Sequence, residues 1–162
     1  YYNAPSSGRP VNGYYGEGDS YFDMLSSPLY PFGFGLSYTS FSLSQAKIDC
    51  ERLSLSELKD GKKLKLHAVL TNTGARKGAE TVQLYVRDPI ASMMRPLREL
   101  KGFEKVMLAP GVSREVSLEI GYDELAFYNG KGEYVVEAGE FYAWLGTDAF
   151  TENGVSFVVE ND

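Results

Sequence analysis

Three stretches of this 162-residue chain alternate apolar and polar residues, and that pattern constrains the fold more than any other feature. Leu64, Leu66, Ala68 and Leu70 fall on one side, with Lys63, Lys65 and His67 on the other. Val82, Leu84 and Val86 alternate with Gln83, Tyr85 and Arg87, and Val116, Leu118 and Ile120 alternate with Glu115, Ser117 and Glu119. Successive side chains of an extended strand point to opposite faces, so each stretch reads as a strand with one face in a core and one in water.

Further strands are expected at Ser42–Ile48, Leu97–Leu108, Tyr134–Glu137, Phe141–Gly146 and Val155–Val159. Asp60-Gly61, Pro110-Gly111, Asn129-Gly130 and Asn153-Gly154 serve as turn signals between them. Seven or eight short strands in about 120 residues predict an all-β, two-sheet sandwich of immunoglobulin or fibronectin type III character. Only Tyr122–Tyr128 suggests a helical turn, with Asp123 placed to cap it and Leu125, Ala126 and Phe127 pressed on the end of the sandwich. The expected division is an irregular, aromatic-rich arm over residues 1–41 and the sandwich over 42–162.

The arm ends in Pro28-Leu-Tyr-Pro-Phe-Gly-Phe-Gly-Leu-Ser-Tyr-Thr-Ser-Phe41. Pro28 and Pro31 restrict φ and remove donors, while Gly33 and Gly35 permit backbone conformations closed to other residues. Tyr30, Phe32, Phe34 and Tyr38 are therefore aimed by a fixed backbone. Upstream, Tyr1, Tyr2, Tyr14, Tyr15, Tyr21 and Phe22 are interleaved with glycines at no regular period. A disordered tail is poor in such rings. The arm is expected to lie on a surface: the sandwich, a neighbouring domain or another copy of the chain, which leaves a homo-oligomer open.

Charge and composition exclude several classes of function. Sixteen basic against 22 acidic residues give a net charge of −6 with no long run of either sign, a poor match for a phosphate backbone, so no nucleic-acid partner is expected. No stretch approaches the roughly 20 apolar residues that span a bilayer. The first residues lack a signal-peptide pattern, and the compartment is left open between cytoplasm and periplasm or exterior. Cys50 and His67 are each the only residue of their kind, which excludes an internal disulfide, a multi-thiolate metal site and a His-pair metal site. No metal or organic cofactor is expected.

Glycoside chemistry draws on both rings and carboxylates, since rings stack on sugar faces and carboxylates bond hydroxyls. Tyr14, Tyr15, Asp19 and Asp23 in the arm and Trp144 on a late strand are candidate sugar contacts. The simpler reading is solvated loop carboxylates and a Phe141, Tyr142, Trp144 strand covered on both faces. Arg95 and Arg98, in Arg95-Pro-Leu-Arg-Glu99, read as a rigid connection whose charges form interface salt bridges.

Taken together, residues 28–41, Thr71-Asn-Thr-Gly74, Glu80-Thr-Val-Gln-Leu-Tyr-Val86 and Arg95-Pro-Leu-Arg-Glu-Leu-Lys-Gly-Phe103 closely resemble the C-terminal part of glycoside hydrolase family 3 enzymes, the β-glucosidases and β-xylosidases. The resemblance runs over nearly the whole chain. It implies that residues 1–41 close the family's α/β sandwich domain and lead into its fibronectin type III-like domain. The nucleophilic Asp and the acid/base Glu of that family belong to other domains, and neither motif occurs here, so no residue of this chain is expected to be catalytic. The implied partners are the catalytic domains of the same parent chain and, through them, a β-linked oligosaccharide or aryl glycoside. Tyr30, Phe32, Phe34, Tyr38, Arg95 and Arg98 are the expected interdomain contacts. A carbohydrate-binding module and a cell-surface spacer or adhesion domain are the rival readings.

Overall fold

A computed structural model describes residues 29–162. The elements run β1 (Phe41–Leu43), β2 (Lys47–Ile48), β3 (Arg52–Ser54), α1 (Leu55–Lys59), β4 (Leu64–Asn72), β5 (Gly78–Arg87) and β6 (Glu99–Leu108). They continue as β7 (Ser113–Ile120), α2 (Tyr122–Leu125), β8 (Phe127–Tyr128), β9 (Tyr134–Val135), β10 (Gly139–Gly146) and β11 (Gly154–Glu160). The result is the all-β sandwich that the alternation predicts. One sheet is built on β4, which pairs with β7 on one side and with β1 and β2 on the other. The second sheet has the order β3-β11-β10-β5-β6, antiparallel except where β3 runs parallel to β11.

The strictest alternation makes the central strand of the first sheet. Leu64, Leu66, Ala68 and Leu70 of β4 are buried, and they face Val82, Leu84 and Val86 of β5 within one core. Phe141 and Phe157, on the paired strands β10 and β11, stack there with centroids 5.5 Å apart. Burying a side chain of this size stabilises the fold by about 1.5–3 kcal/mol. The core is therefore held by the inward faces of both sheets.

Several details depart from the sequence reading. The strand expected over Ser42–Ile48 is broken into β1 and β2, because Ala46 turns into the core and its amide donates to Asn153 Oδ1 at 2.7 Å. Asn153 also donates from Nδ2 to Ser44 O, so Asn153-Gly154 is a bracket between sheets and the start of β11 rather than a turn. At Asn129-Gly130 the left-handed residue is Gly132, and Asn129 Oδ1 accepts from the amides of Lys131 and Glu133. The short α2 is closed by Glu124, whose Oε2 accepts from Gly121 N at 2.8 Å, and not by Asp123. Leu125 at its end and Ala126 and Phe127 after it are buried, as expected.

Helix α1 lies outside the periodic pattern, although its signature is present in Ser54-Leu-Ser-Glu57. Ser54 Oγ accepts from Glu57 N at 3.2 Å, and Glu57 Oε2 accepts from Ser54 N at 2.9 Å, a complete capping box. Leu58 carries the turn into the core.

The largest departure concerns Tyr85. Alternation places it opposite Leu84, on a face expected to meet water, yet it is fully buried and its neighbour Gln83 nearly so. The register is as expected; the outer face of β5 is covered by the arm and by the connection after β10. Strand β5 thus has two buried faces, and its outer one holds polar groups.

Candidate interdomain face

The arm reaches the second sheet through a tight turn in which Phe34 N donates to Pro31 O at 3.1 Å. Gly33 sits at the bend with φ +82°. A Cβ there would lie 2.1 Å from Gln83 Oε1 and 2.5 Å from the Tyr85 hydroxyl, so both the conformation and the space exclude a side chain. This close approach lets Gln83 Nε2 donate to Gly33 O at 2.9 Å and to Thr147 O at 2.7 Å.

Tyr85 completes the clamp. Its hydroxyl donates to Gln83 Oε1 at 2.5 Å and lies 3.4 Å from Phe32 O. Ala149 N donates to the same Phe32 O at 2.9 Å. Burial pushes the phenol up to about 12, with the nearby Asp148 acting in the same direction, so the hydroxyl keeps its proton as a donor. Farther along, Ser37 Oγ donates to Ala79 O and Thr39 Oγ1 to Asn72 Oδ1. The arm is stitched down by its backbone and by these two hydroxyls.

Those rings are exposed to an unusual degree for their size: Tyr30 64 %, Phe32 40 %, Phe34 42 % and Tyr38 92 %. Tyr30 and Phe34 lie against each other with centroids 5.0 Å apart. Contiguous exposed apolar surface on a rigid frame is characteristic of a docking site.

The two arginines, Arg95 and Arg98, are engaged within the segment itself. Arg95 forms a two-pronged pair with Glu99 Oε1, from Nε at 2.9 Å and Nη2 at 2.7 Å, and its guanidinium covers Phe127 at 4.6 Å. Its Nη1 is buried without a hydrogen-bond partner. Burial opposes ionisation of Glu99, but hydrogen bonds from Lys101 and Arg95 outweigh it and hold the carboxyl below its usual range. Arg98 Nη1 donates to Ala149 O at 2.6 Å and to Thr151 O, and its guanidinium lies over Trp144 at 4.3 Å.

That placement bears on Trp144. One face of the indole is taken by Arg98, and Gly154 packs so closely that a Cβ on it would lie 2.3 Å from the ring. Tyr142 stacks beside it at 6.0 Å. Trp144 is wedged in place, without the open face on which a pyranose would stack. Tyr14, Tyr15, Asp19 and Asp23 lie outside the described residues. Among the described residues no group of three His, Cys, Asp or Glu side chains is arranged to hold a metal ion. An open cleft of about 450 Å3 at one end of the sandwich is lined by Phe41, Leu43, Leu70 and Leu145 together with Glu80 and Asp148.

Gln83 was missed by sequence reasoning, as were the carbonyls of Gly33 and Ala149. The signal was a polar residue between valine and leucine in Glu80–Val86, which alternation alone reads as facing solvent.

Residues 80–149 match the fibronectin type III-like domain family. The chain is 40 % identical over 151 residues to a periplasmic β-glucosidase of Salmonella typhimurium, covering 92 % of this chain and 19 % of that protein. It is 41 % identical over 137 residues to a putative β-xylosidase of Formosa agariphila, covering 85 % and 18 %. A crystal structure of a β-glucosidase from Listeria innocua in complex with glucose superposes with a TM-score of 0.82 at 33 % identity, over 98 % of this chain and 22 % of that one. The chain thus spans about a fifth of the length of the relatives it matches. With the sandwich and these alignments in agreement, the chain is a fragment of a glycoside hydrolase family 3 protein and carries its fibronectin type III-like domain.

Proposed function

We propose that this segment is a non-catalytic part of a β-glucosidase-like enzyme, which it stabilises and whose catalytic domains it orients. The arm, residues 1–41, makes the joint, and residues 42–162 form the rigid body behind it. The parent removes terminal β-linked glucose or xylose from oligosaccharides or aryl glycosides with retention. Two carboxylates about 5–5.5 Å apart supply nucleophile and proton in such chemistry, with no metal or organic cofactor.

One observation carries the reading. The clamp of Gln83 and Tyr85 on Gly33 immobilises a backbone that presents Tyr30, Phe32 and Phe34, with Leu29 and Leu36, outward. A sugar site needs converging polar groups beside its rings, whereas Tyr30, Phe32 and Phe34 offer apolar area. Burying it at about 25 cal/mol per Å2 favours docking before ordering costs are subtracted. Tyr38 is exposed on the same arm, and Arg98 connects to it through Ala149, whose N–H donates to Phe32 O.

The test is Phe32→Ala combined with Phe34→Ala in the full-length parent. A lower melting midpoint and a looser shape by X-ray scattering, with activity falling as a consequence, are expected. Unchanged shape and melting with selectively weakened substrate binding would place these rings in the sugar site and sink the proposal.

A further inference from the structure

The connection between β5 and β6 occupies residues 88–98, far longer than the roughly 2–5 residues of an ordinary hairpin loop. It is held in place. Ile90 N donates to Asp88 Oδ1 at 3.1 Å, Ser92 N to Glu137 Oε2 at 2.8 Å, and Arg95 is locked to Glu99 over Phe127. Yet this anchored loop presents Ile90 at 85 % exposure and Met94 at 99 %, with Met93 and Leu97 partly exposed beside them. A connection that served only to join two strands would be shorter and polar.

The loop ends at Arg98, whose Nη1 bonds Ala149 O, and Ala149 N in turn bonds Phe32 O. A continuous run of hydrogen bonds therefore joins the loop to the arm. We propose that the 88–98 loop and the arm form one docking face, and that its occupant is the part of the same polypeptide lying outside these 162 residues. This rests on the interdomain reading of the arm and adds to it a second, separate contact.

Two features favour that occupant. About four-fifths of the length of the relatives lies outside the matched segment, ample to cover both patches. The loop's outward side chains are uncharged and include two unbranched methionines, which adapt to an irregular apolar surface and offer nothing to a phosphate or a carboxylate.

The test places a photo-reactive benzoylphenylalanine at position 94 of the full-length protein, with Ile90→Asp/Met94→Asp as a companion variant. Light is expected to produce a cross-link within one chain, to a peptide outside the 162 residues. The companion variant is expected to make the segment releasable by mild proteolysis while leaving the melting of the isolated segment unchanged. Cross-links confined to the segment itself, cross-links between two copies, or none would overturn the proposal. So would a fall in the melting of the isolated segment with Ile90→Asp/Met94→Asp, because the loop would then serve its own fold. If Phe32→Ala/Phe34→Ala still loosens the domains while the loop variant does not, the loop inference fails and the arm's role stands; if neither does, both fail.

Discussion

Tyr85 donates its hydroxyl to Gln83 Oε1 at 2.5 Å, so two residues on the outward face of one strand form a buried polar pair that grips the arm. The pair works because each member satisfies the other. Gln83 spends its amide protons on Gly33 O and Thr147 O, and its oxygen would be orphaned without the phenol. Tyr85→Phe should therefore cost about 1–3 kcal/mol, the penalty of a buried unsatisfied acceptor. Denaturant unfolding of the 162-residue chain measures it, and a change under a few tenths of a kcal/mol would show that water replaces the hydroxyl.

Gly33→Ala tests the other half of the grip. Holding a non-glycine residue at φ +82° costs on the order of 1–3 kcal/mol, and the added methyl group displaces the Gln83 amide as well. Hydrogen exchange should quicken at Phe34 N and Ala149 N while the β4 amides stay protected. Uniform slowing or no change at those two amides would mean that the arm is held by something other than this turn.

The core supplies a contrast between neighbours. Leu84→Ala should lower stability by about 2–5 kcal/mol, since it empties a fully buried position between the sheets. Tyr85→Ala should be comparably severe, about 3–5 kcal/mol on the scale of large aromatic truncations, although it points the other way. Truncating Glu119, which bonds Lys63 at the surface where solvent screens the pair, should leave the unfolding midpoint nearly unchanged. A mild Tyr85→Ala would return this residue to the solvent face that alternation assigns it.

How much of this was legible in the chain depends on what each residue's position reports. Leu64 to Leu70 declare their face directly, because a strand with one wet side must alternate, and the central strand followed from that. Tyr85 and Gln83 were misleading for the same reason: burial of the second face comes from residues some fifty positions earlier, and no local period encodes that contact. The arm's Pro and Gly residues announced a fixed backbone, but the carbonyls they aim at Gln83 and Ala149 carry no side-chain signal. Arg95 and Arg98 looked like interface charges and turned out to be engaged internally, with Glu99, Phe127, Trp144 and the 149–151 carbonyls. Their partners are four residues to more than fifty away, beyond what spacing can express.

The segment alone should not hydrolyse chromogenic β-glucosides or β-xylosides, because neither family carboxylate motif lies within it. The assay should include Asp19→Asn and Asp23→Asn. Turnover that vanishes with either substitution would put catalysis in the arm and overturn the proposed division of labour.

Arg98 over Trp144 leads to a binding prediction. With one indole face under a guanidinium and Gly154 packed on the ring, the wild-type segment should show no heat of binding with cello- or xylo-oligosaccharides. Arg98→Ala should loosen the 147–151 connection by removing two carbonyl bonds, lowering the melting midpoint without creating sugar affinity. Saturable binding by the wild-type chain, lost in Trp144→Ala, would favour the carbohydrate-binding module instead.

The last expectation concerns alkaline pH and follows from the sign of one shift. Burial raises the Tyr85 phenol to about 12 in the folded chain, above the value near 10 that it has when exposed. A raised folded-state value means that the unfolded chain gives up this proton first, so the associated stability is complete below about pH 10 and is lost as pH climbs toward 12. Unfolding midpoints should fall across that window. The informative quantity is the difference from Tyr85→Phe, which should be less stable at neutral pH yet show a shallower alkaline decline. Parallel curves for the two proteins would mean that the Tyr85 proton is not coupled to the fold, and the clamp on the arm would need another explanation.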